Sequence, residues 1–561
     1  MNNLNKRFHI IKIFVIVSAI VIASRFFYIQ IIKHSYLSNY AKKEYRRKTK
    51  EIMPRGNIYD INGNILASSI VKWDVVIMKK DFEYNKKNIT SISSILNIPS
   101  RELESKIKNG KNYVKIKKYV EKDVYDKIKE LKIRGVLLEA HQSREYPASV
   151  AREIIGMSNE NKGLSNLELT YDKYLRGNIV SEDQIRDSRG NVIKVIEQAT
   201  NDEPYDIYLT VDERIQSIVE QVAADYYNKL DPEKIIILVE DVKSGNISAM
   251  ASYPPNYINL TPIEYVYEPG STFKTVILSA GFNENIIKET DVFNCENGRW
   301  QINNRQAITD HEPLGNTVLR DVYAHSSNIG FAKVGLKIGI EKLYPYIKKF
   351  GFGSRYTDFR GESGGIVKDF KRYRDVDIIT TSYGYGIAVT PLQLINAYTA
   401  IANRGVLIKP NLIYKMKRGE EEIGLSKREV IREVITENTA KRVTDMMINV
   451  VENGTGIAAQ IPGYYIAGKT GTANKLNLKT GKYVKGANVT SFCGFFPATD
   501  PQYSMLIIVD NSKKYKFGSQ TAAPIFSKIA SYIISIKNIK KDRAIDYSKI
   551  NAPKKQEVMA N

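Results

Sequence analysis

The sequence predicts a mixed α/β (α+β) protein of two folded domains behind one apolar helix, and three observations carry that expectation. A chain of 561 residues is too long for a single hydrophobic core. Short β-type runs alternate with helical patterns along most of its length. Near the N-terminus, Ile10 to Ile32 is apolar apart from Lys12, Ser18, Ser24, Arg25 and Gln30, which is the length of a bilayer-spanning helix.

The elements follow in order. Residues 1–9 form a short tail and 10–32 the transmembrane anchor. An uncleaved anchor is expected rather than a signal peptide, because the run is long and no small-x-small cleavage site follows it. Residues 33–205 mix short strands and helices without a cluster of reactive side chains. Asp206-Ile207-Tyr208-Leu209-Thr210-Val211 reads as a strand and Asp212 to Tyr227 as an amphipathic helix, opening a second domain over 206–537. Within it, Leu392 to Asn403 reads as a buried helix and Ser504-Met505-Leu506-Ile507-Ile508-Val509 as the last strand. Residues 538–561 are charged and read as a disordered tail.

Three short strings in one order point to serine acyl transfer: Ser271-Thr272-Phe273-Lys274, Ser326-Ser327-Asn328 and Lys469-Thr470-Gly471-Thr472. Each recurs by chance, at Ser69 and Ser105, at Ser244-Gly245-Asn246 and at Lys479-Thr480-Gly481, so context must separate them. Ser271 follows the breaker pair Pro269-Gly270 and precedes an apolar run, Thr275 to Gly281, which places it at a helix N-terminus. Helical spacing then brings the Lys274 amine to the Ser271 hydroxyl, and free backbone amides there favour an oxyanion. Lys469 follows an apolar strand, Tyr464 to Gly468, whose free edge suits an extended peptide. Lys479-Thr480-Gly481 reads instead as a hairpin turn.

This ordered set resembles that of the penicillin-recognising serine transferases, and the chain resembles a class B penicillin-binding protein over nearly its whole length. Supporting strings are Pro54-Arg55-Gly56-Asn57-Ile58-Tyr59-Asp60 with Asn62-Gly63, Arg144-Glu145-Tyr146-Pro147, Gly163-Leu164 through Glu168 to Tyr171-Asp172, and Gly384-Tyr385-Gly386 through Thr390-Pro391. Asn166 stands where the family usually has glycine. The resemblance implies a penicillin-binding/β-lactamase-like domain, an antiparallel sheet flanked by helices whose first hairpin is Ile235–Glu240 with Ile247–Met250. It also implies that 33–205 is an elongated α+β pedestal.

For the site, the resemblance implies Ser271 as nucleophile, Lys274 as its base, Ser326 as proton carrier to the leaving amine, and Asn328 as a donor-peptide contact. Lys469 would supply positive potential, Thr470, Gly471 and Thr472 would bind substrate, and the amides of Ser271 and Thr472 would form the oxyanion hole. The implied activity is D,D-transpeptidation of peptidoglycan stem peptides, with β-lactams as covalent inhibitors and no cofactor required for the chemistry. The alternatives are a D,D-carboxypeptidase or β-lactamase, and a non-enzymatic β-lactam sensor or scaffold. The resemblance leans toward the division and sporulation branch and implies a polytopic glycosyltransferase as membrane partner.

Formal charge is +22, but its lysines and arginines are spread along the chain and form no nucleic-acid-binding module. The diffuse basic surface suits anionic lipid headgroups or wall polymers, and equally a chain from a lysine-rich proteome. Lys6 and Arg7 before the apolar run and Lys12 at its start are outnumbered by seven basic residues that follow it closely, a count that by itself places the large domain inside. Because crosslinking occurs outside the membrane, the expectation is a single-pass cell-membrane protein with its catalytic domain extracytoplasmic. The two cysteines leave three readings open: a disulfide, a structural zinc held by Cys295, Asp310, His311 and Cys493, or two unpaired buried thiols.

Overall fold

The computed structural model describes residues 2–51, 54–159, 162–176, 180–186, 192–198, 203–303, 306–424 and 427–544. These divide into two compact units. The first comprises residues 1–54 and 176–204. Helix Asn2–Phe27 runs on through a π-helical turn, Tyr28–Ile32. Its apolar stretch, Lys6–Ile32, is long enough at 27 residues to cross a membrane. Helix His34–Tyr45 follows, and then strand Arg46–Glu51, which pairs with Val180–Arg186, itself paired with Val192–Gln198.

The second unit joins residues 55–175 to Tyr205 and beyond, a grouping that differs from the expected 33–205 block. The reason is non-local pairing. Strand Asp206–Leu209 lies parallel to Ile58–Tyr59 and antiparallel to Ile413–Arg418, inside one sheet that also takes in Ile65–Met78, Tyr113–Val120 and Val136–Glu145. A buried charge cluster adds to it. Arg55 Nη2 and Nε reach Glu168 Oε2 at 2.7 and 3.1 Å, and Arg55 Nη1 reaches Asp172 at 2.7 Å. Arg144 Nε meets the other Glu168 oxygen at 2.7 Å, and its Nη1 donates to the Gly56 carbonyl and to Ser69 Oγ. The upstream motif strings thus converge on one carboxylate, and the chance string at Ser69 is spent in this cluster.

The rest of this unit contains, in chain order, α1 (Glu213–Leu230), β1 (Lys234–Asp241), β2 (Ile247–Tyr253), α2 (Lys274–Asn283), α3 (Leu319–Ala324), α4 (Asn328–Ile338), α5 (Pro391–Ala402), β3 (Ala467–Asn477), β4 (Lys482–Phe496), β5 (Tyr503–Asp510) and α6 (Ala522–Ile536). The strands form an antiparallel sheet in the order β2-β1-β5-β4-β3. Helices cover both faces, so the strands are apolar almost throughout. Ile236 and Leu238 of β1, with Leu506 and Ile508 of β5, enter the core shared with α2 and α5. The alternate residues Ile235, Ile237, Met505 and Ile507 enter the core shared with α1 and α6, as the two-residue period of a strand requires. Strand β3 stands at the sheet's edge.

Residues 538–544 pack against the sheet rather than forming a free tail. Tyr464 Oη donates to the Ile539 carbonyl at 2.7 Å, Tyr465 N to Asp542 at 2.8 Å, and Arg543 pairs with Glu452 at 2.7 Å. The remainder of the predicted tail, 545–561, lies outside the described residues.

Candidate active site

Ser271 lies in a 3-10 turn, Gly270–Phe273, that runs directly into α2. Gly270 has φ +55°, and a Cβ there would sit 2.8 Å from the Thr472 carbonyl oxygen, so the turn can approach β3 this closely only with glycine. Every residue of α2 from Lys274 to Phe282 is buried. Spacing then places the Lys274 Nζ 3.0 Å from Ser271 Oγ.

The second motif follows α3. Ser326 has the left-handed value φ +61°, and its strain turns the chain so that its carbonyl and hydroxyl oxygens lie 2.6 and 3.2 Å from Lys274 Nζ. Asn328 Oδ1 accepts from the same amine at 2.8 Å. All four partners of Lys274 are neutral groups. A neutral amine has two N–H bonds and one lone pair. With the hydrogens directed at the Ser326 carbonyl and Asn328 Oδ1, the lone pair is free to accept the Ser271 proton.

Burial pulls the Lys274 amine down to about 7, although Asp310 and Cys295 favour its charged form. Lys469, on β3, is also completely buried. Burial, and then the charge of Lys274, holds it well below the usual lysine range. Its Nζ donates to the Thr470 carbonyl at 3.2 Å and to Thr470 Oγ1 at 3.4 Å. Thr470 Oγ1 also shares a hydrogen bond of 2.6 Å with Thr455, and Thr472 Oγ1 accepts from Gly518 N at 3.4 Å. The structure therefore brings Ser271, Lys274, Ser326 and Asn328 into direct contact and sets the Lys469–Thr472 edge strand against the Gly270 turn.

The four candidate zinc ligands do not assemble. Among the described residues, the His/Cys/Asp/Glu groups with converging ligand atoms are Asp74, Glu139 and His141 alone, and Lys115 Nζ already lies 2.8 Å from Asp74 there. Asp310 is committed elsewhere. One oxygen accepts from Asn328 N at 2.5 Å and Ile329 N at 3.1 Å, and the other accepts from the Ser327 hydroxyl. The carboxylate thus shapes the Ser326-Ser327-Asn328 turn, a role that sequence reading missed. His311 packs its ring against Phe517, 4.6 Å between centroids. Cys295 and Cys493 are separate free thiols, both buried, so no disulfide forms. Of the three readings, unpaired thiols describe them.

The chance strings have other uses. Lys479-Thr480-Gly481 is the turn joining β3 to β4, Ser244-Gly245-Asn246 belongs to the β1–β2 connection, and Ser105 lies inside helix Ser100–Asn109.

Comparison with known proteins places these features. Residues 235–531 match the penicillin-binding protein transpeptidase domain, and residues 50–209 match the penicillin-binding protein dimerisation domain. The chain is 31% identical to stage V sporulation protein D of Bacillus subtilis, covering 93% of this chain and 84% of that protein. It is 30% identical to the peptidoglycan D,D-transpeptidase FtsI of Buchnera aphidicola, covering 96% of each. Among solved structures, penicillin-binding protein 2X of Streptococcus thermophilus superimposes with a TM-score of 0.77 at 23% identity, over 88% of this chain and 81% of that one.

Proposed function

Because the chain belongs to the class B penicillin-binding proteins, we propose that it is a membrane-anchored serine D,D-transpeptidase that crosslinks peptidoglycan stem peptides through an acyl-enzyme on Ser271. The observation that carries this reading is the fully buried Lys274 amine, 3.0 Å from Ser271 Oγ and surrounded by neutral partners. Serine is a poor nucleophile at neutral pH unless a base removes its proton. An amine pulled down to about 7 supplies that base.

The reaction has two steps. Lys274 Nζ takes the hydroxyl proton as Ser271 Oγ attacks the carbonyl carbon of the penultimate D-alanine. The amides of Ser271 and Thr472 receive the developing oxyanion, while the Lys469 field offsets its charge. The C–N bond then breaks, the proton passes through Ser326 Oγ to the departing amine, and free D-alanine leaves. In the second step an amine of a neighbouring stem peptide attacks the ester, its proton returns along the same route, and Ser271 is regenerated. Thr470 and Thr472 hold the donor carboxylate, and Asn328 holds the donor backbone. A β-lactam ring opens in the first step and retains its leaving group, so the ester persists.

In this reading the N-terminal helix is a single-pass anchor, the catalytic unit lies outside the cytoplasm, and a polytopic glycosyltransferase in the same membrane supplies the glycan strand. The test uses the full chain in detergent micelles with a peptide donor ending in D-Ala-D-Ala and a labelled amine acceptor. The expected result is D-alanine release with a new amide to the label, lost in Ser271→Ala. Release of D-alanine with only hydrolysed donor would overturn transpeptidation in favour of a carboxypeptidase.

A further inference from the structure

Beneath the Ser271–Lys274 turn lie three hydroxyl groups on side chains with no solvent exposure: Thr275, Tyr323 and Tyr398. Thr275 Oγ1 is 2.8 Å from Tyr323 Oη and 2.7 Å from Tyr398 Oη. Tyr398 Oη donates to the backbone carbonyl of Thr272 at 2.7 Å. That last contact fixes the direction of the whole chain, since a carbonyl can only accept. Tyr398 spends its proton on Thr272, so Thr275 must donate to Tyr398, and Tyr323 must donate to Thr275. The order of donors is Tyr323, Thr275, Tyr398, ending on Thr272, the residue next to the nucleophile.

Tyr323 also meets the other two motifs. It lies in α3, three positions before Ser326, and Lys469 Nζ sits 5.8 Å from the centroid of its ring. An ammonium over an aromatic face is stabilised in its charged form by the ring quadrupole. One side chain thus touches the Lys469 strand through its ring and the Ser271 turn through its hydroxyl, while its backbone leads into the Ser326 turn. Burial pushes the Tyr323 and Tyr398 phenols upward, so both keep the protons that the chain requires.

We infer that Tyr323 is a positioning residue that couples the three motifs: its hydroxyl heads a one-way hydrogen-bond chain through Thr275 and Tyr398 to the Thr272 carbonyl, and its ring supports the Lys469 ammonium. The inference rests on the transpeptidase reading. It adds that the register of the nucleophile turn depends on residues that touch neither substrate nor reacting atoms.

The test measures β-lactam acylation of the full chain in detergent micelles, separating drug dissociation constant from acylation rate, with thermal unfolding recorded alongside. An acyl adduct on Ser271 of the unaltered protein tests the underlying reading first; its absence would sink that reading, not the coupling. Tyr398→Phe removes the side-chain donor to the Thr272 carbonyl and leaves it only its backbone partner; it is expected to slow acylation about tenfold to a hundredfold, the scale for a misplaced catalytic group, with little change in drug affinity. Tyr323→Phe removes only the head of the chain and should slow it less. Combining the two should cost no more than Tyr398→Phe alone, as expected for members of one chain. Should the tyrosine variants fail to fold, Thr275→Val is expected to reproduce the slowing and Thr275→Ser to restore the rate.

The ring has its own readout. Tyr323→Leu should move the high-pH limb of the acylation profile to lower pH, because Lys469 loses its charge sooner, whereas Tyr323→Phe should leave that limb in place. Wild-type acylation rates in Tyr398→Phe and Thr275→Val would overturn the chain. A high-pH limb that is the same in Tyr323→Leu and Tyr323→Phe would overturn the ring's part.

Discussion

Arg55 and Arg144 are buried together with their counter-charge, whereas Lys274 and Lys469 are buried without one, and the two regions lie in the same compact unit. Glu168 answers both arginines with both of its oxygens, at 2.7 Å each. The lysines meet hydroxyls, carbonyls and an amide oxygen. A buried ion that keeps its partner and its hydrogen bonds is fixed in one geometry. Burial without a carboxylate pulls the Lys274 amine down to about 7, which suits a base. The same physical term, desolvation, is cancelled in one place and left standing in the other.

This contrast can be broken by exchanging charge for shape. Lys274→Met should slow acylation by about 10²–10⁴-fold, the range for removing a general base, while leaving the melting temperature unchanged or raised. The sign follows from linkage. Its folded value of about 7 lies below the ordinary 10.5, so the folded state holds that proton less tightly than the unfolded chain does. Burial of Lys274 therefore subtracts stability at low pH, and the loss is recovered as pH rises from about 7 toward 10.5. Equal loss of stability and activity in this variant would mean that the amine is a structural strut.

Glu168→Gln should behave in the opposite way. Arg144 loses its counter-charge and Arg55 keeps only Asp172, a change that costs about 3–5 kcal/mol, whereas acylation of the protein that remains folded should be unaffected. Denaturant unfolding alongside β-lactam labelling separates the two effects. Asp310→Asn falls between them, because Asp310 is a charged group placed beside the site for shape. It should slow acylation about tenfold with a loss of about 1–3 kcal/mol, since one oxygen becomes an amide that cannot accept the Ser327 proton.

What the sequence makes legible follows from distance along the chain. Ser271 and Lys274 are three residues apart on a helical turn, and Ser326 to Asn328 form one turn, so local spacing suffices to group them. The strand pattern of Ser504–Val509 and the helical pattern of Leu392–Asn403 are local too, and they correspond to β5 and α5. The sequence offers Asp310 only as a candidate metal ligand with Cys295, His311 and Cys493, and does not say that its acceptors face Ser327, Asn328 and Ile329 instead. Strand Asp206–Leu209 is legible as a strand, yet its partners, Ile58–Tyr59 and Ile413–Arg418, lie about 150 and 200 residues away by the numbering of the paired strands. Tyr323 and Tyr398 carry no motif at all. They reach Thr275 across separations of 48 and 123 residues, and only the packed fold joins them.

If the unpaired, buried Lys274 is the base for Ser271, β-lactam acylation must follow its titration, and a pH series of the acylation rate constant reads this out. With the amine at about 7, its neutral fraction grows from about one tenth at pH 6 to about nine tenths at pH 8. The acylation rate constant should climb through the same interval, with mass spectrometry locating the adduct on Ser271 at every pH. A rate that is flat between pH 5 and 8, or that rises only toward pH 10, would mean that Lys274 is not this base, because it would then be neutral throughout or charged throughout.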